Sequence, residues 1–520
     1  MSLKNVAVIS AVLAVLAGVG TPLSAQHTGH TMPGKTDTTK KKPTAKPKPK
    51  VSKTPVKKAG SDTARLRQPA ADSSMTGMPG MAQVSTAPEK GRVHGRHDMT
   101  SGPLSIPMDR MGSGTTWIPD AVSLPSRHGM FGGWEVMAHG FLFGQYDHQS
   151  GRRGDDQLGS LNWTMLMVSR ELAGGHFQAR TMLSLDPWTV TPEGYPLLLQ
   201  TGETFDGEPL YDRQHPHDAF MELAVLYQRE FTNRIAWSLY AAPSGEPALG
   251  PVAFMHRTSA MDNPAAPLSH HWQDATHVSF GVITAGIFTR SWQLEASVFN
   301  GREPDQHRWN FDPIKLDSYS GRITTNPNGN WSLSAGYGYL KSPEVLHADE
   351  STHRLTASAL HGRKVGVNGQ MSSALIWGAN RHSAGSKATH SFLVENETLL
   401  DSRNTVFGRA ELVQKTGEDL VLGENTPAIF PVDDLSEERF NVGSLQLGYI
   451  RELTRLRWAT LGVGGGATLN FVPRSLEETY GSRHPIGTFI FLRIRPFHKR
   501  SAAMSGMNET TGGSTSHEHE

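Results

Sequence analysis

Cysteine is absent from all 520 residues. Disulfides and thiolate ligands are therefore excluded, and any metal would be held by imidazole, carboxylate or thioether. Long apolar runs are almost absent too. The one that stands out, "VAVISAVLAVLAGVG" at 6–20, is shorter than the ~18 residues a spanning helix needs. With Lys4 before it and "TPLSAQ" after it, it predicts a secretory signal peptide over 1–25, cut after Ala25. Charge of one sign is also missing: 50 Lys and Arg face 49 Asp and Glu, and an exported chain of that balance has no nucleic acid as its partner. Enzyme signatures are missing as well. There is no GxSxG, no GxxxxGK[ST] and no dinucleotide fingerprint ahead of a helix, so the chain reads as a non-enzyme.

The remainder falls into three parts. Residues 26–130 show no apolar periodicity, and "KKKPTAKPKPKVSKTPVKKAG" at 40–60 is a self-repelling Lys/Pro block. This predicts a disordered periplasmic arm, a spacer that could also touch the cell wall or a periplasmic metal carrier. The arm carries His27, His30, Met32, Met75, Met78, Met81, His94, His97 and Met99. Methionine usually fills cores, and a disordered arm has none. Thioethers suit Cu(I) and imidazoles suit Cu(II), so these residues are candidates for arm metal capture, with compositional drift as the alternative.

From 131 to 497, segments of ten to fifteen residues alternate with period two. "SWQLEASVF" sets Trp292, Leu294, Ala296 and Val298 against Gln293, Glu295 and Ser297, and "NWSLSAGYGYL" and "ATLGVGGGATLNF" repeat the pattern. An apolar face against a small-polar face is what a barrel strand in lipid requires. Turn signals at "LAGG", "FTNR", "NPNGN" and "HGRK" separate the segments. The fold class is all-β: a transmembrane antiparallel β-barrel of about sixteen strands, range about twelve to eighteen. A soluble sandwich is disfavoured by the length of the strands. "GTFIFLRIRPF" closes the barrel at Phe497, and a polar tail covers 498–520.

Two connections are long, 191–218 and 243–277, and long loops in compact folds are usually functional. The first ends in "YDRQHPHDAF", with His215, His217 and Asp218; the second carries His256, His270, His271, Asp274 and His277. Imidazole with carboxylate is a ligand set for copper, zinc or nickel, so all eight are candidate metal ligands. His271 and Asp274, or Asp274 and His277, would face one way on a helical turn within 266–277. The competing reading is that these histidines only hydrogen-bond loop backbone to a polar wall. Ser259 or Ser269, with a histidine and Asp262 or Asp274, would supply the parts of a hydrolase triad.

The signal, Met/His arm and barrel together resemble the layout of the copper-resistance outer-membrane protein B family. The loops "YDRQHPHDAFMELA" and "GEPALGPVAFMHRTSAMDNPAAPLSHHWQDATHVSFGV" look like those of an uncharacterised group of bacterial outer-membrane proteins. The resemblance implies an outer-membrane location in a Gram-negative-type bacterium, membrane lipid as a partner, and copper or another transition-metal ion as cargo or cofactor. The expected function is binding or export of such an ion. The alternative is a general small-solute porin whose loops constrict the lumen; the third is a barrel-borne hydrolase.

Overall fold

The computed structural model describes residues 102–383, 387–422 and 438–496. The expected signal peptide, the arm up to residue 101 with all of its His and Met candidates, and the chain from Phe497 onward lie outside the described residues.

The strands are β1 (Ser126–Phe131), β2 (Trp134–Gln149), β3 (Asp156–Leu172), β4 (Gly175–Leu183), β5 (Tyr195–Phe205), β6 (Glu208–Gln214), β7 (Phe220–Glu230), β8 (Ala236–Gly245), β9 (Ser279–Phe288) and β10 (Trp292–Phe299). They continue as β11 (Ser318–Asn328), β12 (Trp331–Lys341), β13 (Ser351–Val365), β14 (Gly369–His382), β15 (Thr389–Leu399), β16 (Asn404–Thr416), β17 (Arg439–Arg455), β18 (Ala459–Phe471) and β19 (Ile486–Pro496). Sixteen of them, β2 to β4 and β7 to β19, form one antiparallel sheet that closes where β19 pairs with β2. Closure pairs the first barrel strand with the last, which matters where no water is present to satisfy an open edge. β1 pairs with Trp134–His139 of β2, on the edge that β19 occupies only from Leu142 onward. β5 and β6 form a separate hairpin.

The alternation read from the sequence sorts inside from outside. In β10 the exposed positions are Trp292, Leu294, Ala296 and Val298, and the buried ones include Gln293, Glu295 and Ser297. Leu447 and Ile490 are each 65% exposed on the outer wall. Inside lie ion pairs such as Arg322–Glu295 at 3.0 Å and Arg180–Glu222 at 2.8 Å. A sandwich would bury the aliphatic face and wet the polar one. Here the arrangement is inverted, which is the arrangement lipid demands. Phe231, Trp292 and Trp331 stand exposed beside short turns, where interfacial aromatics belong. Among the described residues no helix is long and apolar enough to cross a membrane.

Short turns join the strands at one end and long connections at the other. "LAGG", "FTNR" and "NPNGN" fall at short turns as expected, but "HGRK" lies within β13, and the turn comes at 366–368. Gly362 is there for another reason: a Cβ on it would sit 2.6 Å from Val122. That contact exposes a second difference. Structure is described already from Gly102, within the span 26–130 expected to be a disordered arm. Residues 102–125 cross the short-turn end, with Leu104 N–H donating to Glu230 (2.6 Å), Asn326 donating to the Ile118 carbonyl (3.0 Å) and Ser332 to that of Trp117 (3.0 Å). Gly114 (φ +51°) reaches into the lumen, where Arg180 donates to its carbonyl at 2.8 Å. The segment looks non-periodic because its backbone is satisfied by barrel side chains and not by a ladder.

Candidate functional site in the lumen

The connection from β8 to β9 is folded inside the barrel, and every residue from 244 to 280 is buried. A buried loop needs partners for its backbone polar groups, and the barrel wall supplies many of them. Arg257 pairs with Glu395 (2.5 Å) and Asp274 (3.1 Å). Glu411 accepts from the N–H of Leu268 and from both N–H and hydroxyl of Ser269. Trp272 donates to Thr389, and Asn380 to the His271 carbonyl. The connection from β4 to β7 holds the β5–β6 hairpin and ends in His215–Asp218. A third long connection, 300–317, was not singled out by the sequence, yet it supplies Glu303 and Arg308.

These segments bring histidines from both expected loops together. His215, His270 and His271 each offer a ligand atom within 4.8 Å of the others. His217 and His277 extend the cluster: ring centroids are 5.5 Å apart between them and 5.1 Å from His277 to His270. A helical turn does form, at His270–Gln273, but the ring that pairs with the Asp274 carboxylate is that of His270, four residues before it (2.7 Å), and not that of His271. His256 is not in this group. It stacks on His139 at 5.1 Å and meets Trp163 edge-on.

Two expected carboxylate ligands have other work. Asp218 faces Arg308 at 3.3 Å. Asp274 accepts from His270 through one oxygen and from Arg257 and the Phe254 N–H through the other. Neither belongs to the three-histidine group, and both are placed to hold other members of the site. The sequence missed the groups that face the rings directly: Glu203 lies 3.0 Å from His215 Nε2, Glu303 3.2 Å from His271 Nδ1, and Asp186 2.7 Å from His217 Nδ1. Of these only Glu303 carried a signal, the density of charge in "GREPDQHRW"; Glu203 is the single charge of "TGETF". Gly202 (φ +121°) packs on the His271 ring, where a Cβ would approach to 2.6 Å.

Burial sets the protonation of the cluster. It lowers His215 to about 4, against the pull of Glu203, and lowers His271 to about 4 in the same way. The rings are therefore neutral and nucleophilic at neutral pH. Burial works to raise Glu203, but Arg308 and His215 outweigh it and hold the carboxyl low. Glu303, buried and facing the charge of Glu203, is pushed up to about 8. Burial also lifts Asp218 to about 7 despite Arg308.

Above the cluster the mouth opens as a cavity of about 380 Å³. Glu203, Glu303, Asp305, Glu344, Glu350, Glu418 and Asp419 line it, against Lys387, Arg439 and His347, whose ring the bond to Glu344 pushes up to about 9. Ser259 donates to Glu395 at 2.8 Å and Ser269 to Glu411 at 2.7 Å, and among the described residues neither hydroxyl bonds to a histidine.

No family model and no curated protein matches the sequence. Solved barrels align at low similarity. An anion-selective porin from Comamonas acidovorans aligns at 12% identity and TM-score 0.41, over 70% of this chain and 99% of its own. OmpF of Salmonella typhi, solved with daunomycin, aligns at 9% and 0.43, over 71% and 100%. The outer membrane channel DcaP of Acinetobacter baumannii aligns at 11% and 0.38, over 71% and 98%. The fold assignment stands on the strand pairing itself.

Proposed function

We propose that this chain is an outer-membrane barrel that passes small solutes through a lumen narrowed by its own β8–β9 loop, with a preference for cations. The observation that carries the reading is that loop: a closed sixteen-strand wall encloses a segment buried along its whole length. Short turns at one end and long loops at the other match the periplasmic and external ends of outer-membrane barrels. The preference for cations rests on the mouth, where acidic side chains outnumber basic ones and a low-dielectric wall focuses their field. A passage of this kind selects by the charge and width of its constriction. Copper export draws its main support from the arm methionines, which lie outside the described residues, so the passage is read here without naming an ion.

The test is a planar bilayer carrying the refolded chain, with a salt gradient across it. The expected reversal potential has the sign of cation permeation, and Glu344→Gln with Glu350→Gln moves it toward zero. A barrel that inserts but gives no channel events, or one that favours anions, would contradict the reading.

A further inference from the structure

We propose that His215, His270 and His271 bind one divalent transition-metal ion of the zinc, nickel and copper(II) class at the floor of the acidic mouth. The three rings come from two connections far apart in sequence, and their ligand atoms already lie within 4.8 Å of one another. Ligands at a metal–nitrogen distance of about 2.0–2.1 Å stand about 3.4 Å apart in a tetrahedral shell. Rotation of buried rings by a small amount closes that difference.

The hydrogen bonds around the rings fix which nitrogen is free. Asp274 is held by Arg257 through one oxygen, so its other oxygen accepts from His270 Nδ1–H and leaves Nε2 as a lone pair. His271 contacts Glu303 through Nδ1, and its Nε2 is buried with no hydrogen-bond partner among the described residues. The residue is only 7% exposed. Asp274 on the far nitrogen of His270 is the kind of carboxylate that usually supports a metal-ligating imidazole.

His215 adds an independent clue. Its Nδ1 lies 3.2 Å from the Pro216 carbonyl and its Nε2 3.0 Å from the Glu203 carboxylate, and both of these groups only accept. A neutral ring carries one proton and can donate to only one of them. With that proton on Nδ1, a cation between Nε2 and Glu203 answers the second acceptor. Ligand atoms about 2.0–2.2 Å from one ion stand about 3.0–3.4 Å apart, so an ion coordinated by both satisfies the pair and makes Glu203 the fourth ligand. The competing occupant is a proton, giving a His215–Glu203 ion pair.

The donor set also selects. Nitrogen and carboxylate oxygen without thioether or thiolate suits borderline divalent ions, not Cu(I). The mouth carboxylates supply the approach: they raise the local concentration of a divalent cation far more than that of a monovalent one. Binding is separable from passage, because metal content reads the first and conductance the second.

Co(II) added to the full-length chain in detergent provides the probe. Low-coordinate Co(II) on imidazole absorbs strongly in the visible, which a fully hydrated ion does not. Histidines elsewhere, such as His94 and His97, can also take up Co(II), so the readout is wild type minus variant. The expected difference is one equivalent, with its visible band, lost in both His270→Ala and His271→Ala. The double variant is no worse than either single one, because they share one ion. His484→Ala on an exposed connection changes nothing. Should an alanine variant fail the heat-modifiability check for a folded barrel, His271→Gln takes its place. X-ray absorption of wild type at half an equivalent of Co(II) gives a second reading. Equal Co(II) content and spectrum in wild type and the folded variants, or a first shell of water only, would overturn the proposal in favour of the proton-held pair.

Discussion

Replacing Arg257 with methionine should loosen the lumen loop without opening the barrel. Arg257 is 1% exposed and lies at the middle of a charge cluster. It donates to Glu395 at 2.5 Å, to Asp274 at 3.1 Å and to the Val252 carbonyl at 2.9 Å. Removing one member of a buried ion pair costs about 3–5 kcal/mol, since the partner stays behind uncompensated. Here the loss falls at the low end, about 3 kcal/mol. Glu395 keeps Arg409 (3.0 Å) and Ser259 (2.8 Å), and Asp274 keeps His270. Arg257→Lys retains the charge but not the forked geometry, so it should lose less. Urea unfolding in detergent, followed by tryptophan fluorescence, gives the magnitude. Heat-modifiability shows whether the strands remain closed. The expected result is a destabilised loop, a retained barrel and noisier, larger conductance. An unfolding free energy within about 0.5 kcal/mol of wild type, with unchanged conductance, would refute the idea that this cluster anchors the loop.

On the outer wall, Val463→Arg should cost about 2–4 kcal/mol at mid-bilayer, while Gln145→Arg, facing the lumen beside Asp147 (2.7 Å), should be tolerated; urea midpoints of the two variants check this. Glu246, at the start of the lumen loop, is pushed up to about 8 by burial, with Arg322 opposing. The folded state therefore holds a proton there that the unfolded chain releases near ~4.3. Its stabilising contribution is complete below that value and is lost as pH rises to about 8. Midpoints measured across this range should fall with pH, and Glu246→Gln should flatten the slope.

The wall was legible in the sequence because lipid on one side and polar groups on the other impose a period of two. Trp292 to Val298 sorted as read, and sixteen strands fell within the expected range. "HGRK" misled because a glycine in a strand can serve a close approach as well as a turn; Val122 occupies the space its Cβ would need. Residues 102–125 gave no periodic signal, since their order comes from side chains far away in sequence, such as Asn326 and Ser332. The histidines of the site were visible as clusters, but their sorting was not. His256 belongs with His139, whose inward position on β2 follows from alternation, and Asp218 belongs with Arg308. Glu203 and Glu303 enter through connections whose folding into the mouth depends on the closed wall, and no local pattern encodes that.

Single-channel conductance of wild type against a chain whose residues 247–277 are replaced by a short Gly/Ser linker tests the central claim most directly. If the β8–β9 loop narrows a polar lumen, the wild type conducts weakly and prefers cations, and the replaced chain conducts several-fold more with less preference. Equal conductance from two folded barrels would contradict it.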